Sequence, residues 1–252
     1  MPGLLEPLRR SQGAICLGLA LLIAWEAVTR GLELPLNTFP PPSRVVWSLF
    51  VRVDLLAGHA FQTFGETLIG FAVSVLVGIL IGWLIGTSEL LFDAFYPVVV
   101  VLQVVPKEAL APLLVLWFGA TTLSRMLLAF LIAFFPMVIN TILGLRSVSL
   151  TMRRYAQSLA MSPWQLLRHV QLPCALASIF AGMKIAVTLA VIGVVVAEIV
   201  AGRSGLGYLL LFASSRQDMG FSLAILLVLA AWGGALYGIV LLCERRAVFW
   251  RH

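Results

Sequence analysis

The chain has 252 residues, 61% of them hydrophobic and 11% charged, with a formal net charge of +6 and a mean hydropathy of +1.05. A soluble domain carries about 25% charged residues, so a chain this apolar cannot cover its own surface in water and belongs in a membrane. The net positive charge does not point to nucleic acid: the basic residues sit in short gaps between apolar runs, with no basic stripe and no interleaved aromatics, as the positive-inside bias of a membrane protein requires.

Six apolar segments follow one another, at about residues 14–28, 61–85, 95–118, 123–145, 176–200 and 221–243. Most reach the roughly 20 residues with which a helix spans a bilayer. The expected fold class is therefore all-α, a polytopic membrane protein of six transmembrane helices. The first segment is short and follows Arg9 and Arg10, as in a signal peptide. Trp25 and Glu26 close it without a small-x-small cleavage site, so an uncleaved first helix is expected.

Glu66 opens the second segment, in which Gly78, Gly82 and Gly86 recur every fourth residue. Ala230, Gly234 and Gly238 repeat that spacing in the sixth. Both stripes are expected to be packing faces, because backbones without intervening side chains approach closely and gain dispersion contacts. The third segment carries Pro97, Pro106 and Pro112, each of which removes a backbone donor and favours a kink. A helix broken at membrane depth is tolerated where it is buried in protein or lines a cavity. Cys16, Cys174 and Cys243 lie in or beside apolar runs, far from one another and from histidine. They are expected to be small buried hydrophobes, with no disulfide framework and no metal site.

Ionisable residues inside a membrane are costly, so each is a functional candidate. Lys107 and Glu108 sit beside Pro106, Lys184 enters the fifth segment and Glu198 leaves it. Gln103, Lys107 and Glu108 are expected near a pore, with Lys184 and Glu198 as further pore or substrate candidates. The alternative is that these groups snorkel, or pair with one another to hold the helices in register.

With the N-terminus inside, Arg9, Arg10, Arg146, Arg153, Arg154, Arg168, Arg245, Arg246 and Arg251 fall in cytoplasmic gaps. Arg30, Arg44, Arg52, Arg203 and Arg216 fall outside, and Arg125 lies at a boundary. The bias expects both termini in the cytoplasm and an even number of spans. The longest cytoplasmic gap, residues 151–173, reads as two short helices. Met152, Tyr155 and Leu159 share one face of the first. Ser162 is a good N-cap for the second, Pro163 fits its first position and Gln165 completes a capping box. Leu166, Leu167 and Val170 form its apolar face, and Pro173 stands where the chain is expected to turn into the fifth span. Such a capped amphipathic element suits either docking in a groove of a soluble partner or lying on anionic lipid.

The stretch Ala160-Met-Ser-Pro-Trp-Gln-Leu-Leu-Arg-His-Val-Gln-Leu-Pro173 resembles the Glu-Ala-Ala loop of binding-protein-dependent ABC importer permeases. So do Ala181-Gly-Met-Lys-Ile-Ala186, Val194-Val-Val-Ala-Glu198 and Gly202-Arg-Ser-Gly-Leu-Gly-Tyr-Leu209. Pro41-Pro-Ser-Arg-Val-Val46, Pro106-Lys-Glu-Ala-Leu-Ala-Pro-Leu113 and Leu116-Trp-Phe-Gly119 look like the nitrate/sulfonate/taurine branch. The resemblance covers roughly residues 40–243. It implies the type I permease fold, in which this loop is the coupling helix that docks into a cleft of the ATPase. The docking residues it implies are Arg153, Arg154, Tyr155, Ala156, Ala160, Ser162, Pro163, Trp164, Leu166 and Leu167.

The resemblance divides the chain into 1–60 (cytoplasmic tail, first helix and periplasmic segment), 61–245 (permease domain, coupling loop 146–173) and a cytoplasmic tail, 246–252. The partners it implies are two cytoplasmic ATPase subunits, a second permease copy (as a homodimer), a periplasmic or lipid-anchored solute-binding protein and membrane lipid. The implied location is a bacterial inner membrane. The family's Glu-Ala-Ala positions fall here on Arg154, Tyr155 and Ala156, reversing the charge at the first, so a more acidic ATPase groove is expected. The family glycine falls on Ala160, which does not take a left-handed turn cheaply, so the two short helices are expected to join differently. Relatives that import anions often carry an arginine where Gln103 stands. The Gln-x-x-Pro-Lys version looks more like permeases for riboflavin or for pyrimidine precursors of thiamine.

No phosphate-binding loop is present: Lys107 and Lys184 are the only lysines, and neither follows the required glycines. ATP and Mg²⁺ are therefore expected on a separate chain, with no cofactor on this one and no enzymatic activity. Two other classes remain in view. An ion-coupled secondary transporter would need a coupling site on broken helices, for which Glu108 or Glu198 could serve. An intramembrane serine enzyme would use Ser204 with His59 as base.

Overall fold

The computed structural model describes residues 6–249, with the backbone alone for residues 6–12, 14, 15, 150, 153 and 157. Every regular element among them is helical. In chain order these are α1 (Glu6–Gly31), α2 (Pro42–Val51), α3 (Val53–Thr87) and α4 (Glu89–Val104). A 3₁₀ turn (Lys107–Leu110) leads into α5 (Ala111–Phe118), then α6 (Thr122–Arg146), α7 (Leu150–Ser158) and α8 (Pro163–Leu166). A π turn (Leu167–Gln171) precedes α9 (Leu172–Ala201), α10 (Leu206–Ser215) and α11 (Met219–Ala247).

Four stretches are individually long and apolar enough to cross a membrane: Val53–Thr87, Thr122–Arg146, Pro163–Ala201 and Met219–Ala247. The third expected segment is not one straight helix. It is the pair α4 and Lys107–Phe118, bent by 79° at the break. Pro106 supplies no N–H for the Leu102 carbonyl four residues earlier, and the helix end at Val104 frees the other last carbonyls of α4. The first expected segment falls on α1, several of whose side chains lie outside the described residues, as do the Arg9, Arg10 and Arg153 side chains and residues Arg251 and His252.

The chain divides into two compact units. One comprises Met1–Gly58 and Leu209–Val228. In it Glu26 accepts from Arg30 Nε at 2.6 Å and from the Ser43 hydroxyl and backbone N–H, fastening α1 to α2. Arg52 bonds Asp218 at 2.8 Å and lies 4.3 Å from the Phe221 ring centroid.

The second unit comprises His59–Tyr208 and Leu229–His252. Its core is built on α6 and α9, whose small residues let the two backbones meet. A Cβ on Gly144 would stand 2.9 Å from Ser178 Cβ, one on Gly182 2.8 Å from Asn140 Cβ, and one on Gly193 2.7 Å from Ala129 Cα. Ala133, Met137, Ala186 and Ala190 fill the seam between these points. α3 packs on the other side of α6 through the expected glycine stripe: Gly78 lies against Met137 and Gly82 against Thr141 and the Val138 carbonyl. Ser74 continues the stripe, its hydroxyl donating to Gly70 O at 2.7 Å.

The same spacing on α11 finds no packing partner among the described residues, none of which comes within 4 Å of a Cβ built on Gly234 or Gly238. The cysteines also differ from expectation: Cys16, Cys174 and Cys243 are all exposed. On the outer face of a membrane helix an apolar side chain gains little by turning inward, because lipid is as apolar as the protein interior.

Candidate functional site

The break between α4 and the 3₁₀ turn lines a cavity of about 420 Å³, walled by residues Gln103–Glu108, by Ile132, Pro136, Ile139 and Asn140 of α6, and by Ile185 and Leu189 of α9. Gln103, Lys107 and Glu108 are thus brought together in one wall. Gln103 and Glu108 are exposed while Lys107 is buried. The Lys107 Nζ donates to Gln103 O at 2.6 Å and to Val105 O at 3.2 Å, and lies 4.7 Å from the Phe135 ring centroid. A cation at a helix C-terminus meets the negative end of the backbone dipole, and here it also satisfies carbonyls that the break leaves without donors. Asn140, which the sequence reading does not single out, joins the polar wall. Its Nδ2 donates to Pro136 O at 2.8 Å, closing the turn that contains the α6 proline.

Lys184 and Glu198 are not part of this cavity. Lys184 bonds Glu244 of α11 at 2.8 Å. Glu198 is fully buried. Its Oε1 accepts from the Thr63 hydroxyl and its Oε2 from the Gly207 N–H, both at 2.7 Å. Thr63 in turn accepts from Leu206 N–H at 2.8 Å. The carboxylate therefore caps the first turn of α10 and ties it to α3. Gly205 makes this possible: its φ is +101°, and a Cβ there would fall on the Glu198 carboxylate. His59 Nδ1 accepts from the Gly205 N–H at 2.9 Å, so this imidazole nitrogen serves the backbone beside Ser204 and is not poised as a base for its hydroxyl.

A buried ion pair that sequence reasoning missed lies between α3 and α6. Arg125 donates Nε to Glu66 Oε2 at 2.7 Å and a terminal nitrogen to Oε1 at 2.6 Å. Gln62 adds a donor to Glu66 at 3.1 Å, and Thr122 accepts from Arg125 at 3.0 Å. Fork-to-fork geometry with further hydrogen bonds is what a desolvated pair needs to offset its lost hydration. The only early signal was two opposite charges in apolar segments, with no local spacing to pair them.

In the 151–173 loop, the capping box forms as expected. Ser162 Oγ accepts from Gln165 N–H at 3.3 Å and Gln165 Oε1 accepts from Ser162 N–H at 2.9 Å. Ala160 corrects the expectation drawn from its side chain: it does take the left-handed conformation, with φ 52°. Met161 N–H donates to Ala156 O at 3.2 Å, as the Schellman motif requires. The helices thus join as a glycine there would join them. Pro173 likewise does not turn the chain. It sits in the first turn of α9, and α8, the π turn and α9 form one 39-residue apolar stretch. Leu172 N–H reaches back to Leu167 O. That wider turn spares the proline ring its usual clash with the carbonyl four residues earlier.

The π turn also changes which side chains face out. Tyr155 (61% exposed) and Trp164 (62%) stand in the open, with Arg154, Ala160, Ser162 and Pro163 at least partly exposed and Leu166 half-buried. Leu167, by contrast, joins the α6–α9 core, and Ala156 is 2% exposed. These two of the expected docking residues face inward and offer a partner no surface. Beside Trp164 a groove of about 410 Å³ extends to Trp83 of α3, whose buried Nε1 has no hydrogen-bond partner among the described residues.

A helical membrane protein with a broken span lining a polar cavity, and an amphipathic loop carried on the same helices, is built as a transport protein. Residues 74–248 match the family model of the binding-protein-dependent transport system inner membrane component, and the chain belongs to that family. A probable ABC transporter permease protein of Haemophilus influenzae is 36% identical over 86% of this chain and 89% of its own. A riboflavin transport system permease protein of Chloroflexus aurantiacus is 35% identical over 91% and 87%. A formylaminopyrimidine transport permease protein of Halalkalibacterium halodurans is 34% identical over 75% and 76%.

Proposed function

We propose that this permease subunit carries a small organic solute through an inner membrane by alternating access, driven by ATPases on separate chains. Family membership supports the permease role, and the cavity at the broken third span is the observation that carries the path. Around it, α6 and α9 are locked by backbone contact, so the 79° break at Pro106 is the part of this unit with freedom to rearrange. In this reading residues 61–245 form the transmembrane permease domain, both termini lie in the cytoplasm, and a second copy completes the pathway. A solute-binding protein delivers solute at the outer face.

The loop of α7 and α8 is the handle for the ATPase. Its exposed Met152, Tyr155, Leu159 and Trp164 form an apolar surface with Arg154 beside it, the composition of a docking face for an acidic-rimmed groove. ATP closure of two ATPase subunits would pull on α8, and α8 continues through the π turn into α9 without a flexible joint. The solutes named for two relatives, riboflavin and a formylaminopyrimidine, set the size range proposed for the cargo. Replacing Tyr155 and Trp164 together by Asp is expected to release the ATPase during purification of the complex while the permease keeps its thermal stability. A variant complex that stays intact and hydrolyses ATP in response to solute overturns this docking surface.

A further inference from the structure

Taking the cavity at the broken span as part of the solute path, as proposed above, we infer that it is built for a solute without net negative charge: an uncharged, hydrogen-bonding molecule with an apolar face. Among the described residues, the one cation in its wall is already engaged. An ammonium has three donors. Two are directed at Gln103 O and Val105 O, at 2.6 and 3.2 Å, and the Phe135 ring covers the remaining side. Those carbonyls belong to the last turn of α4 and to its C-cap Val105, where the chain bends, so Lys107 holds the break in shape and is a positioning residue. The other charge in the wall is Glu108, which is exposed. An anion entering this space meets a carboxylate and no available cation, in surroundings where unpaired charge is costly.

What the cavity does offer is neutral. Asn140 uses its Nδ2 on Pro136 O, which leaves its Oδ1 to accept, and Gln103 adds a second amide. Ile132, Pro136, Ile139, Ile185 and Leu189 supply an apolar wall against which a flat or aliphatic face can lie. Amides that donate and accept without charge suit a molecule of the same kind.

The charge preference can be measured without knowing the cargo. Asn140→Cys is placed in a chain whose Cys16, Cys174 and Cys243 are replaced by Ala, and the whole complex with its ATPase is reconstituted in nanodiscs. Anionic sulfonatoethyl, neutral methyl and cationic trimethylammonioethyl methanethiosulfonates then serve as probes, each rate divided by that with 2-mercaptoethanol. The anionic reagent is expected to react at least about 10-fold more slowly than the cationic one. Glu108→Gln is expected to shrink that ratio, while Lys107→Met, or Lys107→Arg if the former fails to fold, leaves it within about threefold. An anionic reagent that reacts fastest, and slows on Lys107→Met, overturns the inference. The path reading fails separately: it is lost if the Asn140→Cys thiol reacts with all three reagents at the same rates with and without ATP and vanadate, or if that thiol never reacts.

Discussion

Removing either partner of the Glu66–Arg125 pair should be far more damaging than removing both. The carboxylate accepts three hydrogen bonds, two from Arg125 at 2.6 and 2.7 Å and one from Gln62 at 3.1 Å. Side-chain exposures of 3% and 7% leave no water to replace them. Arg125→Met strands the carboxylate with Gln62 alone, and Glu66→Leu strands the guanidinium with Thr122 alone. Breaking a buried pair from one side costs about 3–5 kcal/mol, whereas replacing both ions by apolar groups of similar volume is often neutral. Two independent losses would sum to about 6–10 kcal/mol. The double variant is instead expected within about 2 kcal/mol of the parent, a coupling of at least about 4 kcal/mol. Unfolding in mixed micelles, followed through tryptophan fluorescence as the denaturing detergent fraction rises, gives the four free energies of the cycle. Single variants that each cost under about 1 kcal/mol, or losses that simply add, would refute the reading of this pair as a desolvated clamp between α3 and α6.

Gly82→Ala should destabilise by about 1–3 kcal/mol, since its Cβ would stand 2.6 Å from Thr141 Cβ and 2.9 Å from a backbone carbonyl. Gly234→Ala, with open space around it, should be silent in the isolated subunit, and equal losses in the same unfolding assay would contradict the packing described. Ala160→Gly should stabilise by up to about 1 kcal/mol, by removing the left-handed cost of a Cβ at φ 52°. Slower amide exchange at Met161 would report it, and faster exchange would speak against the Schellman turn. Glu198→Ala leaves the Gly207 N–H without its acceptor, worth about 1–3 kcal/mol, while the Thr63 hydroxyl keeps His59 O at 3.2 Å. Glu198→Gln keeps one acceptor oxygen and should lose less than half as much by thermal unfolding, and parity between the two would remove the carboxylate from its capping role.

What the sequence reveals here is what is local. The Ser162–Gln165 box depends on residues three apart, and the proline-marked break is written into residues 97–112. The glycine stripe of α3 is visible as a stripe, yet an identical spacing on α11 faces open space, because spacing says nothing about the partner surface. Glu66 and Arg125 are 59 positions apart and Thr63 and Glu198 are 135 apart, so neither pairing leaves a periodic trace. Leu166 and Leu167 show a subtler limit. Helical periodicity treats them as neighbours on one apolar face, but the π turn that accommodates Pro173 rotates Leu167 into the core. Ala160 shows the opposite case, in which local propensity reads against a turn that its surroundings enforce.

These particulars bear on how force could pass from the loop to the cavity. Leu167 is anchored in the same core cluster as Ala186 and Ala190 of α9, and Ile185 and Leu189 of that helix wall the cavity. A displacement of α8 has no hinge in which to dissipate before it reaches α9, because the π turn keeps its helical bonding through Leu172. α6 must follow α9, since Gly144, Gly182 and Gly193 leave no gap between their backbones, and α3 is bound to α6 by glycine contacts and by Glu66–Arg125. α4 is tied to α6 from its start, where Arg146 pairs with Glu89 and lies 3.7 Å from the Phe92 ring centroid, as far as Tyr96 and Val99, which pack with Val138 and Ile142 of α6. Its other end carries the break, where Lys107 holds the freed carbonyls. Motion of the block against α4 therefore concentrates at residues 104–108, the segment that carries Gln103's neighbours and the polar rim of the cavity. Rigidity and compliance thus fall on different segments, and the compliant one lies at the cavity proposed as the solute path.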